Sequence, residues 1–340
     1  MITDKRNKAL IRAFAPFVSG KYGRPLKRSQ WRLGQEWAQF EQIIKDALVD
    51  CGLHPVSQPD IRRFDNYCGD YVIKIFSHNN KMRAPEADLF YMQMHHKRLF
   101  TLDKFGWGAK HSLSRSVDYE ASIFEEAGQL VELDLEEMIF DLKSGETKHA
   151  QTTRKGKKKI KADYIFVPLQ TPRDEVIVEH SPCSVVEFVG VVTKAAMVAK
   201  RNVVFKIHPY ARDNLAIRMA VTYAEATSKY VASCNDHVTD LILGSDAVVC
   251  QNSGVGFEAL LLGKPVFTLG HCDYAQATIK GNLDDPNILV SFLDSPERPA
   301  NVRQFINWYM RSVGLFMRRN GENQEILKTR IAEKILAAVQ

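Results

Sequence analysis

The second half of the chain alternates short apolar runs with longer amphipathic stretches, and this alternation constrains the fold more than any other feature of the sequence. Each apolar run has the length of a buried strand, and each stretch between two runs has helical periodicity. Strands that alternate with helices form right-handed βαβ crossovers, so the pattern predicts a mostly parallel, doubly wound sheet with helices on both faces. The predicted strands are residues 164–169, 202–207, 230–232, 247–250 and 265–269.

The first half has a weaker pattern of the same kind. Apolar residues at three- and four-residue spacing predict a long helix that ends before Gly52. Shorter elements follow it, and together they predict a second α/β unit. The predicted elements are helices at 30–51, 87–97 and 119–127, and strands at 71–76 and 99–102.

Basic residues are concentrated in one segment, residues 143–161, which holds eight Lys and Arg against one Glu. The formal net charge of the chain is +6, so the rest of it is close to neutral, which argues against a nucleic-acid partner. The composition of the segment is typical of a solvated linker or an exposed loop. It therefore divides the chain into an N-terminal domain, 1–142, and a C-terminal domain, 162–340, which ends in two helices.

The cysteines and the hydropathy of the chain indicate where in the cell the protein is located. The six cysteines are scattered, with no Cys-x-x-Cys pair and no His at zinc-ligand spacing. Residues 1–8 are polar and charged, and no run of about 18 uncharged apolar residues occurs. We therefore expect a reduced, cytoplasmic protein with no signal peptide and no membrane span.

Ligands of a doubly wound sheet bind beyond the carboxyl ends of its strands, so the candidate site residues are those that follow each strand. A strand that ends in Asn-Ser-Gly-Val-Gly before a helix presents backbone N–H groups and a positive helix end, which suit a phosphate, and Glu258 one turn later suits ribose hydroxyls. The candidates selected in this way are Gln170, Asp174, Lys206, His208, Asn252, Ser253, Gly254 and Glu258.

Each of these interpretations has a simpler alternative. Ser253 could be only a helix N-cap, His208 a packed core histidine, and Asp174 a turn former after Pro172. The glycines match neither Gly-x-Gly-x-x-Gly nor the P-loop, so the sequence does not support nicotinamide or ATP chemistry.

Residues 252–260, Asn-Ser-Gly-Val-Gly-Phe-Glu-Ala-Leu, followed by Gly-Lys-Pro-Val at 263–266 and by Gly270, resemble the signature of the capsule polysaccharide biosynthesis family of glycosyltransferases, which includes the retaining β-Kdo transferases. Gln170 with Asp174 is similar to the family's Gln-containing loop and its acidic residue. The run Lys-Ile-His-Pro at 206–209 is similar to the family's Lys-Pro-His-Pro, with Ile207 in place of a proline. The resemblance covers residues 164–270.

The resemblance implies a GT-B architecture, in which two Rossmann-like domains face a central cleft. The C-terminal domain would bind the donor CMP-Kdo, and the N-terminal domain would bind a glycan or lipid-linked glycan acceptor. No metal and no cofactor are expected, and the absence of an Asp-x-Asp motif agrees. The resemblance makes Asp174 the nucleophile and aligns His208 and Ser253 with the family's His and Ser. The family also uses a Glu as acid/base, and Asp103 occupies a comparable place here, with a turn-forming Asp as the alternative.

The chemistry agrees with these roles, because retention through a covalent intermediate needs a carboxylate opposite the leaving phosphate and a second acid/base group. Gln170, Lys206, Asn252, Ser253, Gly254 and Glu258 are the expected donor-binding residues. The basic segment adds an expectation of peripheral attachment to the anionic inner membrane. Two alternatives stay open: another GT-B transferase with a different nucleotide sugar, and a non-catalytic protein whose basic segment binds anionic lipid or nucleic acid.

Overall fold

The computed structural model describes residues 7–13, 28–59, 71–77, 80–115, 129–148 and 163–340. The strands are β1 Lys8–Ala13, β2 His54–Pro59, β3 Ile73–Ser77, β4 Leu89–Gln93, β5 Leu99–Asp103, β6 Tyr164–Pro168, β7 Asn202–Lys206, β8 Val231–Ser233, β9 Ala247–Cys250, β10 Val266–Thr268, β11 Ile279–Lys280 and β12 Leu315–Phe316. The helices are α1 Arg28–Asp50, α2 Ser112–Arg115, α3 Gln129–Ser144, α4 Glu175–His180, α5 Val185–Ala199, α6 Leu215–Thr227, α7 Val238–Gly244, α8 Gly254–Leu261, α9 Asn287–Asp294, α10 Val302–Ser312 and α11 Gln324–Val339.

The chain forms two units. The first unit comprises Met1–Val117 and Met310–Gln340, and the second comprises Asp118–Tyr309. This division differs from the predicted domains 1–142 and 162–340. Helix α3 belongs to the second unit because it packs against α8, and α11 belongs to the first because it packs against α1, β3 and β5. Both differences come from tertiary packing between elements that are far apart in sequence.

The first unit contains a six-stranded sheet in the order β12-β5-β4-β3-β1-β2. Strands β2, β1, β3 and β4 are parallel, whereas β5 is antiparallel to both β4 and β12. Helix α1 covers this sheet with an aromatic face, in which Phe40 stacks on Phe100 with ring centroids 4.2 Å apart and Trp37 meets the same ring edge-on. The predicted helix at 30–51 is therefore confirmed, and its periodicity reflects this packed face.

One predicted element of the first unit is wrong. Residues 87–97 were expected to be helical, but residues Leu89–Gln93 form strand β4, in which all five residues are buried. A strand that is buried on both faces does not alternate apolar and polar residues, so its periodicity cannot be distinguished from that of a buried helix.

The predicted helix at 119–127 lies outside the described residues, as does the part of the basic segment from 149 to 161. Recruitment of the protein to an anionic membrane therefore stays a prediction.

The second unit contains a parallel sheet in the order β11-β10-β9-β6-β7-β8. Read from β8 to β11, these are the third, second, first, fourth, fifth and sixth strands of the unit, which is the Rossmann order. The five strands predicted in this half are confirmed. The direction of winding reverses between β6 and β9, which pair directly through Ile165 with Ala247 and Phe166 with Val248. Ligands of such sheets bind beyond the carboxyl ends of these two strands.

Both units therefore have the Rossmann-like α/β architecture that the sequence predicts. Across the described parts of the chain, the helices are too short or too polar to cross a membrane.

Candidate functional site

The loops after β6 and β9 end in helix caps. Asp174 caps α4, and its Oδ1 accepts a hydrogen bond from the N–H of Val176 at 3.3 Å. Ser253 caps α8, and its Oγ accepts a hydrogen bond from the N–H of Val255 at 3.3 Å. Both residues therefore have a local structural role as N-caps, which for Ser253 is the simpler alternative stated above. Each cap also places its side chain at the carboxyl edge of the sheet, where a ligand would bind.

Two amide side chains join these loops. Nε2 of Gln170 donates to Oδ1 of Asn252 at 3.1 Å, and the backbone N–H of Asn252 donates to Oε1 of Gln170 at 3.3 Å. The Nδ2 of Asn252 then donates to the carbonyl of Val176 in α4 at 2.7 Å. Their hydrogen bonds join α4, which Asp174 caps, to the start of α8. Donor binding by both residues stays a prediction.

His208 and Lys206 come from β7, the neighbour of β6. Nδ1 of His208 accepts a hydrogen bond from the N–H of Tyr210 at 3.1 Å. Burial lowers the pKa of His208 below its ordinary value, Asp174 raises it and Lys206 lowers it further. Nζ of Lys206 donates to the carbonyl of Asp236 at 2.8 Å, and burial lowers the pKa of this lysine to about 8. Burial therefore favours the neutral form of His208 at pH 7, Asp174 interacts with it electrostatically, and Lys206 anchors the loop after β8.

We expect His208 to make stability sensitive to acid. Its pKa is lower in the folded chain than its ordinary value of 6.5, so the folded state binds fewer protons. The free energy of unfolding that His208 contributes is fully present above pH 6.5 and is lost as the pH falls through the lowered pKa. Urea unfolding between about pH 7 and about pH 5 should show a smaller loss for His208→Asn, which keeps an acceptor for Tyr210, than for wild type. The exposed His54→Asn is the control and should behave as wild type. An equal loss in wild type and His208→Asn would contradict this role.

Helix α8 carries the remaining predicted donor residues. Gly254 is its first residue, and Glu258 lies one turn further on, with only 6% of its side chain exposed. Among the described residues, Oε2 of Glu258 has no hydrogen-bond partner. Burial raises the pKa of Glu258 to about 8, and the charge of Lys148 opposes this shift. A buried carboxyl oxygen with a spare acceptor site is suited to a hydroxyl of a ligand.

Asp103 lies in the first unit, at the end of β5. Its Oδ1 accepts hydrogen bonds from the N–H groups of Phe105, Gly106 and Ser112, at 2.9, 3.2 and 3.1 Å. Its Oδ2 accepts a hydrogen bond from the Ser112 hydroxyl and lies 3.5 Å from Nε2 of His111. These contacts match the turn-forming alternative. The acid/base role of Asp103 stays a prediction.

The family described as capsule polysaccharide biosynthesis protein matches residues 124–307, more than half of the chain, and this range contains both switch-point loops. The chain belongs to this family. Its curated relative Protein FixF from Sinorhizobium fredii is 29% identical over 232 residues, which are 62% of this chain and 52% of that protein. The chain therefore spans about half the length of this relative.

Two solved structures of KpsC transferases are similar to this chain. The β-Kdo 2,7 transferase of Thermosulfurimonas dismutans KpsC is similar with a TM-score of 0.51 and 12% identity, covering 96% of this chain and 99% of that one. The β-Kdo 2,4 transferase of the same KpsC has a TM-score of 0.47 and 13% identity, covering 76% and 83% of the two chains. The predicted GT-B fold class, with two Rossmann-like units, is confirmed.

Three features of the site were missed from the sequence. Lys148, assigned to a linker, interacts electrostatically with Asp174 and Glu258. Gln251 ties the β9 loop to the end of α4 through the hydroxyl of Ser181 at 2.6 Å. Tyr274, fully buried, donates its hydroxyl to the carbonyl of Ser253. No motif marks these residues, because each reaches the site through packing.

The family member thus presents a defined set of groups at the switch point. Asp174 interacts electrostatically with His208, and the N-terminus of α8 lies at the same edge of the sheet. Among the described residues, no three His, Cys, Asp or Glu side chains are grouped to hold a metal. This set can hold an anionic ligand and place a carboxylate against it.

Proposed function

We propose that this protein is a retaining glycosyltransferase that moves Kdo from CMP-Kdo to a bacterial surface glycan acceptor. The observation that carries the proposal is the position of Asp174, which caps α4 at the switch point, while Gln170 and Asn252 tie α4 to the loop that begins α8. Membership of the capsule polysaccharide biosynthesis family and the fold shared with a β-Kdo transferase support it.

The α8 end of the site is the proposed donor-binding region. The first N–H groups of α8 lie at the positive end of the helix, so they attract the phosphate of CMP, and those of Val255 and Gly256 also donate to Ser253. Glu258 lies one turn further on and accepts hydrogen bonds from ribose hydroxyls. Metal-free transfer is part of the proposal, because these N–H groups and the nearby cations would stabilise the departing CMP.

Asp174 is the proposed nucleophile. Its carboxylate attacks the anomeric carbon from the face opposite the phosphate, an ester bond to the sugar forms, and the bond to CMP breaks. The acceptor hydroxyl then attacks the same carbon as the Asp174 carboxylate leaves, and its proton passes to the acid/base group, for which Asp103 is the candidate. Two inversions give overall retention.

The proposal is tested by incubating the protein with CMP-Kdo and a panel of synthetic glycan acceptors and measuring products by mass spectrometry. We expect a Kdo adduct on one acceptor class. A parallel thermal-shift series with CMP, UMP, UDP and GDP identifies the nucleotide, since a ligand at about 100 times its Kd adds about 2.7 kcal/mol of stability. Stabilisation by UDP or GDP and not by CMP would reject CMP-Kdo in favour of another nucleotide sugar.

We expect Ser253→Ala and Glu258→Ala each to weaken CMP binding by about tenfold, the equivalent of one lost hydrogen bond of about 1.4 kcal/mol. Isothermal titration calorimetry measures the change. Ser184→Ala is the matched control, because Ser184 is also a serine N-cap whose hydroxyl accepts a backbone hydrogen bond, and α5 is a helix not assigned to the donor. It should lose about 1 kcal/mol of stability with no change in CMP affinity. Unchanged CMP affinity in both Ser253→Ala and Glu258→Ala would show that α8 does not bind the donor.

A further inference from the structure

Tyr274, from the loop after β10, packs against the first turn of α8, and its side chain is fully buried. Its hydroxyl donates to the carbonyl of Ser253, the N-cap of α8, and lies 3.7 Å from Sγ of Cys250 at the end of β9. Burial raises the pKa of Tyr274 well above its ordinary value, so the hydroxyl keeps the proton that it donates. Tyr274 therefore connects the loop after β10 to the start of α8.

Gly256 leaves the space that this hydroxyl occupies. A Cβ at position 256 would lie 3.0 Å from Cε2 and Cζ of Tyr274, and closer still to the hydroxyl oxygen. Gly256 lies within α8 and is buried, at a place where alanine is ordinarily the better helix former. The glycine therefore has a packing reason, because a side chain at 256 would push the hydroxyl away from Ser253.

The hydrogen bond from Tyr274 sets the direction of one peptide group. The carbonyl of Ser253 also accepts the N–H of Gly256 at 2.8 Å, so two donors hold it toward the helix. In a planar trans peptide, the C=O and the N–H of the next residue point in opposite directions. The N–H of Gly254 therefore points away from the helix, at the carboxyl edge of the sheet, where ligands of this fold bind.

A second feature of α8 points to a ligand. Oε2 of Glu258, one turn further on, is buried and has no hydrogen-bond partner among the described residues. Buried polar atoms in folded proteins are rarely left without a partner, so this oxygen has room for a group that a ligand supplies. An outward N–H and this carboxyl on one helix suit the phosphate and a hydroxyl of one nucleotide.

We propose that Tyr274 is a positioning residue for the donor phosphate, whose hydroxyl holds the Ser253 peptide group so that the N–H of Gly254 points at the phosphate. This inference rests on the proposed function, since its ligand is the phosphate of a nucleotide-sugar donor. It does not depend on which nucleotide sugar is used, because every such donor carries a phosphate on the sugar.

The first test compares CMP with cytidine, which has the same base and ribose but no phosphate. We expect Tyr274→Phe to weaken CMP binding by about fivefold and to leave cytidine binding within about twofold of wild type, since only the phosphate contacts the N–H of Gly254. Isothermal titration calorimetry measures both affinities. Equal losses for CMP and cytidine would indicate a general structural effect, and they would overturn the positioning role, as would an unchanged affinity for CMP.

Tyr164→Phe is the matched control. Tyr164 is also buried, its hydroxyl donates to the carbonyl of Leu241 at 2.9 Å, and a Cβ at Gly244 would lie 2.9 Å from that hydroxyl. Tyr164 begins β6, however, so it lies at the amino edge of the sheet, opposite the site. Both Tyr→Phe variants should lose similar stability in urea, and only Tyr274→Phe should lose affinity for CMP.

Gly256→Ala reaches the same hydroxyl from the side of the helix. It should weaken CMP binding and spare cytidine binding, as Tyr274→Phe does, whereas Gly244→Ala should bind both ligands as wild type does. A Gly256→Ala protein with wild-type affinity for CMP would contradict the need for this hydroxyl.

The second test needs no nucleotide. In protein with isotope-labelled glycine, the NMR amide signal of Gly254, identified by its loss in Gly254→Ala, is followed during titration with inorganic phosphate. We expect this signal to shift in wild type, with phosphate binding about fivefold weaker in Tyr274→Phe and unchanged in Tyr164→Phe. A Gly254 signal that does not respond to phosphate, or that responds equally in all three proteins, overturns the inference.

The two tests separate this inference from the proposed function. Failure of wild type to bind CMP, together with a phosphate response that depends on Tyr274, would reject the proposed donor and leave the role of Tyr274 intact. Transfer of Kdo from CMP-Kdo by Tyr274→Phe with wild-type affinity for CMP would support the proposed function and overturn the role of Tyr274.

Discussion

Asp174→Asn should lose sugar transfer by about a thousandfold or more while keeping its fold and its affinity for CMP. An amide oxygen is a far poorer nucleophile than a carboxylate, so the ester to the sugar cannot form. The cap of α4 survives, because Asn accepts the hydrogen bond from Val176 as well as Asp does. Initial rates of transfer from CMP-Kdo, followed by mass spectrometry, measure the loss.

The covalent intermediate gives a direct check on the same residue. Wild type incubated with donor alone should gain the mass of one Kdo, and peptide mapping should place it on Asp174. Asp103→Asn should increase the trapped adduct, since it lacks the group that would activate the acceptor. Asp174→Ala serves as a control, because it loses the cap and with it about 1 kcal/mol of stability, unlike Asp174→Asn. Wild-type turnover by Asp174→Asn would reject the covalent role, and an adduct on another carboxylate would reassign it.

Gly270→Ala should destabilise the second unit by about 1–3 kcal/mol. A Cβ at this position would lie 2.8 Å from the carbonyl oxygen of His180, 3.1 Å from Nδ2 of Asn252 and 3.3 Å from the carbonyl oxygen of Gln251. Two of these atoms belong to the backbone, so relief requires movement of the end of α4 or of the β9 loop. Either movement disturbs the contact between Asn252 and α4, and CMP affinity should fall together with stability.

Urea unfolding and calorimetric titration measure these two effects of Gly270→Ala. Gly190→Ala is the control, because a Cβ there meets no atom within 4 Å and the residue lies inside α5. Removing glycine from a helix interior should raise stability by about 0.5–1 kcal/mol. Wild-type stability in Gly270→Ala would show that the loops move without loss of free energy. The close packing around Gly270 would then not be needed to hold the site together.

The second unit was predictable because its strands are short, apolar and separated by stretches of helical length. The sequence predicted a mostly parallel sheet but not which strands are neighbours, since the pairing of β6 with β9 joins segments about 80 residues apart. The first unit was harder for a physical reason. Strand β4 is buried on both faces and therefore has no alternation. Strand β2 is polar, and the apolar run of β1 is only three residues long between Lys8 and Arg12.

Site residues were predictable to the extent that topology alone places them. Asp174, His208 and Ser253 were found because each follows a strand of a doubly wound sheet. The partners of Gln170 and Asn252 were not foreseen, because a hydrogen bond between two loops depends on side-chain geometry. Lys148 was assigned to a solvated segment, because its electrostatic interaction with Asp174 and Glu258 depends on tertiary structure.

The first unit is assembled from both ends of the sequence, and this has a consequence for synthesis on the ribosome. Strand β12 completes the sheet beside β5, Nη1 of Arg98 donates to the carbonyl of Met317 at 3.0 Å, and Lys328 of α11 pairs with Asp50 at 3.0 Å. These contacts cannot form until residues 310–340 have left the exit tunnel. The second unit is continuous in sequence, so it can fold earlier although it is translated later than most of the first. The N-terminal portion must wait as an incomplete sheet, with β5 as an unprotected edge, the kind of intermediate that chaperones bind.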